Sequence, residues 1–113
     1  MRIIVFGCGN GFTNYHNCYK EYWNDNDVEI LAFLDNDQKK WGTKFMGKEI
    51  CSPDAICQLN YDVVLIASVY EEEVFNQLNN ILNVDKNKIY IRQEFFEKII
   101  FSWYDKKYDL YNK

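Results

Sequence analysis

The segment most suited to bind a ligand is residues 7–11, Gly-Cys-Gly-Asn-Gly, which directly follows an apolar run. The chain can turn tightly at Gly7, and Gly9 would bring bare backbone close to a ligand. A helix beginning here would offer unpaired N–H groups and a partial positive charge to a phosphate. A complete dinucleotide fingerprint would have its third glycine where Phe12 stands, and here that glycine is Gly11. The segment predicts a phosphate-binding turn, and a strand-to-helix turn without a ligand is the alternative.

Two polar positions are expected to meet this turn. Asp35 ends the second apolar run, where a carboxylate can accept hydrogen bonds from ribose hydroxyls and repel a 2′-phosphate. NAD or a nucleoside sugar is therefore favoured over NADP. An equally good alternative is that Asp35 and Asp37 only cap a solvated turn. Ser68 follows the third run and would close the far side of the pocket. The predicted cofactor-binding residues are Gly7, Gly9, Asn10, Gly11, Asp35 and Ser68.

The sequence contains no complete catalytic set. No Tyr is followed four positions later by Lys, and there is no nucleophile elbow, Walker loop or HExxH motif. His16 is a candidate proton carrier because its pKa is near neutral, and a histidine on a helix surface is the alternative. The four cysteines form no CxxC pair, so we expect buried reduced thiols and no metal site. Whether the chain is an enzyme is left open.

The apolar runs predict an α/β fold. Runs at residues 3–6, 28–34, 63–67 and 89–91 alternate with helical patterns. This alternation predicts a small Rossmann-like, three-layer domain with a parallel sheet of about four strands in the order 2-1-3-4. Residues 38–50 are interpreted as a long loop with a short strand near 48–50, followed by a short helix that begins at Ser52-Pro53. We expect residues 1–113 to be one domain with its core at about 2–92.

An unusually apolar helix is predicted at about residues 93–107. Its apolar side chains keep a helical spacing and are Phe95, Phe96, Ile99, Ile100, Trp103 and Tyr104. Such a helix should be covered, either by a second copy in a homodimer or by a neighbouring domain. The alternative function is therefore a non-catalytic interaction module that keeps the fold without a ligand.

Charge and hydropathy exclude two classes of partner. The net charge is −4, the pI is about 4.9, and Arg2 and Arg92 are the only arginines, which disfavours nucleic-acid binding. No stretch approaches the ~20 apolar residues of a membrane span, and the N-terminal apolar run is too short for a signal peptide. The cytoplasm is the expected location.

Several motifs succeed one another in the order found in a known group of domains. They are Ile3–Gly11, Ile30–Asp37, Lys40–Gly42, Phe45–Gly47, Ile50–Pro53 and Tyr61–Ser68. This order resembles the Rossmann-type nucleotide-binding domain at the front of bacterial nucleotide-sugar-modifying proteins, including polysaccharide-biosynthesis dehydratases and epimerases and sugar acetyltransferases. It is also similar to CoA-binding domains. The resemblance implies a nucleotide-binding domain, for NAD or a nucleoside-diphosphate sugar, in bacterial sugar-nucleotide or surface-polysaccharide metabolism, with the glycine turn and Asp35 contacting the ligand. CoA binding is a further alternative.

Overall fold

Six β-strands form one sheet in the computed structural model, which describes residues 1–109. The strands are β1 (Arg2–Phe6), β2 (Glu29–Leu34), β3 (Lys44–Phe45), β4 (Lys48–Cys51), β5 (Val63–Ile66) and β6 (Ile89–Ile91). Their order across the sheet is β3-β4-β2-β1-β5-β6, and every neighbouring pair is parallel except β3 and β4. The proposed domain extends to residue 113, and residues 110–113 lie outside the described part.

The predicted sheet of four strands was wrong in its strand count and in its complete order. Strands β2, β1, β5 and β6 lie side by side, but β4 and β3 extend the sheet beyond β2. The short strand predicted near 48–50 is present as β4, but the sequence interpretation did not place it in the sheet or predict β3 before it. The two strands are joined by a two-residue hairpin turn, where Met46 has φ 51° and Gly47 has φ 80°. Such turns usually carry Asn-Gly or Asp-Gly, so Met-Gly gave no hairpin signal. After the turn, Ile50 of β4 pairs with Phe33 of β2.

Helical segments connect the strands. They are α1 (Asn10–Cys18), α2 (Lys20–Trp23), α3 (Glu71–Asn76), α4 (Arg92–Phe95) and α5 (Phe101–Tyr108). A π-helical turn at Gln77–Ile81 extends α3, and another at Phe96–Ile100 joins α4 to α5. We call residues 92–108 the C-terminal helix. The helix predicted after Ser52 is a 3₁₀ helix, Pro53–Gln58. Within residues 1–109, no helix has the length and apolar character that a bilayer crossing requires.

The helices cover both faces of the sheet, which gives three layers. On one face, α1, α2 and the C-terminal helix enclose an aromatic cluster in which Trp23 stacks on Phe95 with ring centroids 5.7 Å apart. On the other face, α3 and the 3₁₀ helix cover an aliphatic cluster that contains Leu34 and Leu78. Because β1 and β5 are covered on both faces, their sequences are continuous apolar runs.

The apolar side of the C-terminal helix packs against α1 and α2 of the same chain. Phe96 contacts Tyr19 with ring centroids 5.1 Å apart, and Trp103 contacts Tyr22 at 5.7 Å. The indole Nε1 of Trp103 also donates a hydrogen bond of 2.9 Å to Asp25. These contacts explain the apolar pattern within the chain. Docking of this helix on another copy or domain stays a prediction.

The cysteines differ from the expected buried thiols. All four are free, Cys8 is buried and Cys51 is half-buried, but Cys18 and Cys57 are exposed. The expectation was therefore wrong for the last two, because Cys18 ends α1 on its solvent side and Cys57 lies on the 3₁₀ helix away from the core.

Candidate functional site

The carboxyl ends of β1, β2 and β5 meet around a cavity of about 450 Å³. Three predicted site residues, Gly7, Asp35 and Ser68, line this cavity together. This is the position where parallel α/β sheets bind ligands, beside the point at which the strand order reverses. The volume falls within the range of ordinary small-molecule pockets.

Gly7 makes the turn out of β1 possible. Its φ of +111° lies in a region that residues with a side chain rarely adopt, and a Cβ built there would lie 3.0 Å from the backbone nitrogen of Ser68. Its N–H donates a hydrogen bond of 2.7 Å to the carbonyl of Leu34. The turn therefore packs directly against the ends of both neighbouring strands.

Gly9, Asn10 and Gly11 form the start of α1, outside the lining of the cavity. Gly9 is the N-cap residue, with extended backbone (φ −147°) and no atom within 4 Å of a built Cβ. No side chain caps α1, and its first turn contains no acidic residue. The first N–H groups of a helix have no acceptor within the helix, so this end is suited to an external anion.

Gly11 performs the packing role that a fingerprint assigns to its third glycine. A Cβ at Gly11 would lie 3.3 Å from the carbonyl oxygen of Ala67, at the end of β5. The next residue, Phe12, is fully buried and contacts Trp23 and Phe33 with ring centroids 5.4 Å away in each case. The displaced glycine thus still allows α1 to approach the sheet closely, while Phe12 contributes to the core.

Asp35 is a charged and already hydrogen-bonded carboxylate. Its Oδ1 accepts from the N–H of Asp37 at 2.8 Å, its Oδ2 accepts from the thiol of Cys8 at 3.0 Å, and the ammonium of Lys40 lies 3.8 Å away. Burial acts to raise the pKa of Asp35, but the two hydrogen bonds and the lysine charge together hold the pKa below its usual range. Asp35 is therefore ionised at neutral pH.

Cys8 acts as a hydrogen-bond donor in this arrangement. Burial, followed by the hydrogen bond and charge of Asp35, raises the pKa of Cys8 to about 12. Since the thiolate is the reactive form, this thiol is not an activated nucleophile at neutral pH.

The cavity lining accepts more hydrogen bonds than it donates. Besides Asp35 it contains the carboxylate of Glu73 and the side chains of Asn36 and Tyr70, and no Lys, Arg or His belongs to the lining. The Ser68 hydroxyl oxygen accepts from the N–H of Tyr70 at 3.1 Å, which leaves its hydrogen free to donate. Such a lining matches the hydroxyls of a sugar better than it matches a phosphate.

The wall formed by Asn36 is fixed by a pair of amides. Asn36 and Gln77 donate to each other through two hydrogen bonds of 2.9 Å, which join the loop after β2 to the helix after β5. Through this pair, the cavity residue Asn36 is connected to the helix that also contributes Glu73 and Val74 to the lining. Within residues 1–109, no group of three or more His, Cys, Asp or Glu side chains is arranged to hold a metal ion.

His16 lies away from this cavity. It is half-buried, stacks on Trp23 with ring centroids 5.8 Å apart, and lines a different cavity beside β2. Burial, followed by the charge of Lys20, lowers the pKa of His16. The structure therefore does not bring the predicted proton carrier to the carboxyl edge of β1.

Arg92 is a candidate ligand contact that the sequence interpretation missed. It follows β6 directly, and its Nη1 would lie 2.9 Å from a Cβ built on Gly11. The position of Arg92 directly after a predicted parallel strand could have indicated this role, because the carboxyl ends of such strands lie at one edge of the sheet.

Comparisons with known proteins agree with this architecture. A family model described as C2185-like, N-terminal, matches residues 1–90. The chain belongs to this family. No curated protein matches the chain. A crystal structure of UDP-D-quinovosamine 4-dehydrogenase from Vibrio fischeri matches with a TM-score of 0.58 and 18% sequence identity, over 80% of this chain and 74% of that chain. This likeness shows a shared Rossmann-like fold.

The family match includes the whole predicted site of this C2185-like domain. Every cofactor-binding residue predicted from the sequence lies within residues 1–90, whereas Arg92 lies just beyond them. The C2185-like domain thus presents a cavity with two carboxylates beside an uncapped helix start.

Proposed function

We propose that this domain binds a nucleoside diphosphate, as NAD or as a nucleoside-diphosphate sugar, and that it serves bacterial sugar-nucleotide or surface-polysaccharide metabolism. The observation that carries the proposal is the cavity lined by Gly7, Asp35 and Ser68, beside the uncapped start of α1. The nucleoside occupies the cavity, and the diphosphate lies on the N–H groups of residues 9–11. The proposal assigns binding and leaves the reaction open.

The charge of the cavity supports a ribose with free hydroxyls. A carboxylate can accept about four hydrogen bonds, so Asp35 can accept from a ribose diol while it keeps its bonds to Cys8 and Asp37. A 2′-phosphate in the same place would face both Asp35 and Glu73. We therefore expect NADP to bind more weakly than NAD.

The metabolic part of the proposal is supported by the shared fold alone. The Vibrio fischeri protein of similar fold is named as a UDP-sugar dehydrogenase, and a nucleotide-sugar protein would need a site of the kind described here. CoA also carries a nucleoside diphosphate and is the alternative ligand. Its ribose has a 3′-phosphate, which would face the same carboxylates as the 2′-phosphate of NADP, so we expect CoA to bind more weakly than NAD.

Binding is tested by thermal unfolding and calorimetry with NAD, NADP, UDP- and GDP-sugars and CoA. A ligand at about a hundred times its Kd adds ~2.7 kcal/mol, which should raise the Tm of a domain of this size by roughly ten degrees. The matched variant is Gly9→Asp, since there is free space at this position. Aspartate is a good N-cap, so its carboxylate should occupy the N–H groups of α1 without lowering stability.

The expected result is binding of NAD or a nucleoside-diphosphate sugar by the wild type and its loss in a folded Gly9→Asp variant. Unchanged binding in Gly9→Asp would contradict the proposed phosphate position. No response to any ligand would contradict the proposed function, and a response to CoA alone would select the alternative ligand.

A further inference from the structure

We propose that Arg92 contacts the terminal phosphate of the bound nucleoside diphosphate and makes the site select diphosphates over nucleosides and monophosphates. This inference rests on the proposed function, but its support is separate. None of the observations that carry the proposed function involves Arg92.

The guanidinium of Arg92 lies against the start of α1. Its Nη1 and Cζ would be 2.9 Å and 3.9 Å from a Cβ built on Gly11, the second residue of that helix. A side chain at Gly11 would therefore require the guanidinium to move. The absence of a side chain allows a positive charge to sit directly beside the N–H groups proposed to hold phosphate.

The backbone of Arg92 is held in this position. The hydroxyl of Tyr15, on α1, donates a hydrogen bond of 2.7 Å to the carbonyl of Arg92. The carboxylate of Glu94 accepts from the N–H of Ile91 at 3.4 Å, at the start of α4. The start of the C-terminal helix is thus tied to α1, so the backbone from which the Arg92 side chain extends is held beside that helix.

The guanidinium has no partner among residues 1–109. No carboxylate forms an ion pair with Arg92 in that part of the chain, and none of its five N–H donors forms a hydrogen bond there. The side chain is nevertheless half-buried. A partly desolvated guanidinium without an acceptor is unfavourable, and a phosphate would satisfy it through a bidentate contact.

The distribution of charge across the site favours one orientation of the bound nucleoside diphosphate. The cavity lining contains Asp35 and Glu73 and excludes Arg92, whereas the guanidinium lies at Gly11. A nucleoside in the cavity therefore places its phosphates toward α1, and the outer phosphate is the one that Arg92 can meet.

The test is calorimetric titration of the folded chain with adenosine, AMP and ADP, and with uridine, UMP and UDP. The variants are Arg92→Gln, Arg92→Met, which keeps an apolar stem, and Arg2→Gln as the matched control. Arg2 is the other arginine, and it pairs with Asp62 at 3.5 Å at the opposite end of β1. Circular dichroism and Tm establish that each variant is folded.

We expect Arg92→Gln to weaken diphosphate binding by about 10- to 100-fold, since a hydrogen bond to a charged group is lost. Nucleoside binding should stay unchanged, and the dependence of log Kd on log salt should become shallower. Arg2→Gln should match the wild type. If Arg92→Gln does not fold, Arg92→Met gives the same comparison.

Two results overturn the inference while the proposed function stands. One is wild-type affinity for ADP or UDP in both Arg92 variants, and the other is an equal loss for nucleoside and diphosphate. If the wild type binds none of these ligands, nor any nucleotide in the larger panel, the proposed function fails and the inference fails with it.

Discussion

A methyl group at Gly7 should destabilise the fold through two separate effects. The φ of +111° is a conformation that alanine adopts at a cost of about 1–3 kcal/mol. The added Cβ would also lie 3.0 Å from the nitrogen of Ser68 and 3.1 Å from the carbonyl carbon of Ala67. These are backbone atoms of the neighbouring strand end, which cannot rotate away as a side chain can. Overpacking of this kind also costs about 1–3 kcal/mol, so the two effects together should lower the free energy of unfolding of Gly7→Ala by about 2–6 kcal/mol.

The control lies two residues away. Gly9 has extended backbone and no atom within 4 Å of a built Cβ. In Gly9→Ala the reduced entropy of the unfolded chain stabilises and the poorer N-cap destabilises, so the free energy of unfolding should change by less than about 1 kcal/mol. Urea unfolding followed by far-UV circular dichroism measures both variants against the wild type. If Gly7→Ala unfolds at the same urea concentration as Gly9→Ala, the proposed tight contact between the turn and β5 is refuted.

Three further outcomes can be checked independently. Iodoacetamide at pH 8 should label the exposed Cys18 and Cys57 well before Cys8, whose pKa is raised to about 12, and peptide mapping that finds Cys8 labelled as fast would contradict its burial. Burial lowers the pKa of His16, so the unfolded chain binds the proton more tightly than the folded chain does. The contribution of His16 to stability is therefore complete above its unfolded pKa of about 6.5 and is lost as the pH falls below that value. His16→Gln should therefore flatten the loss of unfolding free energy between about pH 7.5 and 5.5, and an unchanged slope would count against this. Phe95→Ala should lower the free energy of unfolding by about 3–5 kcal/mol, since Phe95 is fully buried against Trp23, and unfolding should stay a single cooperative transition. Separate early melting of the C-terminal helix would indicate that the helix is not part of this core.

The central strands could be predicted from the sequence because their burial leaves a direct pattern. Strands β1 and β5 are covered on both faces and are therefore continuous apolar runs. The outer hairpin gives no such pattern, because β3 consists of only Lys44 and Phe45 and its turn places Met46 in a left-handed conformation. Tertiary pairing of Ile50 with Phe33, and not local propensity, makes this segment part of the sheet.

For the candidate site, the sequence could predict which residues lie near one another but not their contacts. Parallel strands bring their carboxyl ends to one edge, so the sequence alone could assign Gly7, Asp35 and Ser68 to the same neighbourhood. The hydrogen bond from Cys8 to Asp35 and the approach of Arg92 to Gly11 join residues far apart in the chain. The orientations of the Cys8 and Arg92 side chains depend on packing in three dimensions, and no periodic pattern in a single sequence indicates them.

The displaced third glycine illustrates why spacing alone is a poor criterion for this kind of turn. A fingerprint requires glycine where the helix passes closest to the neighbouring strand, and in this chain that point is Gly11, whose Cβ would lie 3.3 Å from the carbonyl oxygen of Ala67. One residue further along a helix is a rotation of about 100°, which turns Phe12 away from that contact and into the aromatic core. The close approach and the core residue are therefore compatible. A search that demanded glycine at position 12 would reject a turn whose geometry still leaves the start of α1 open to an anion.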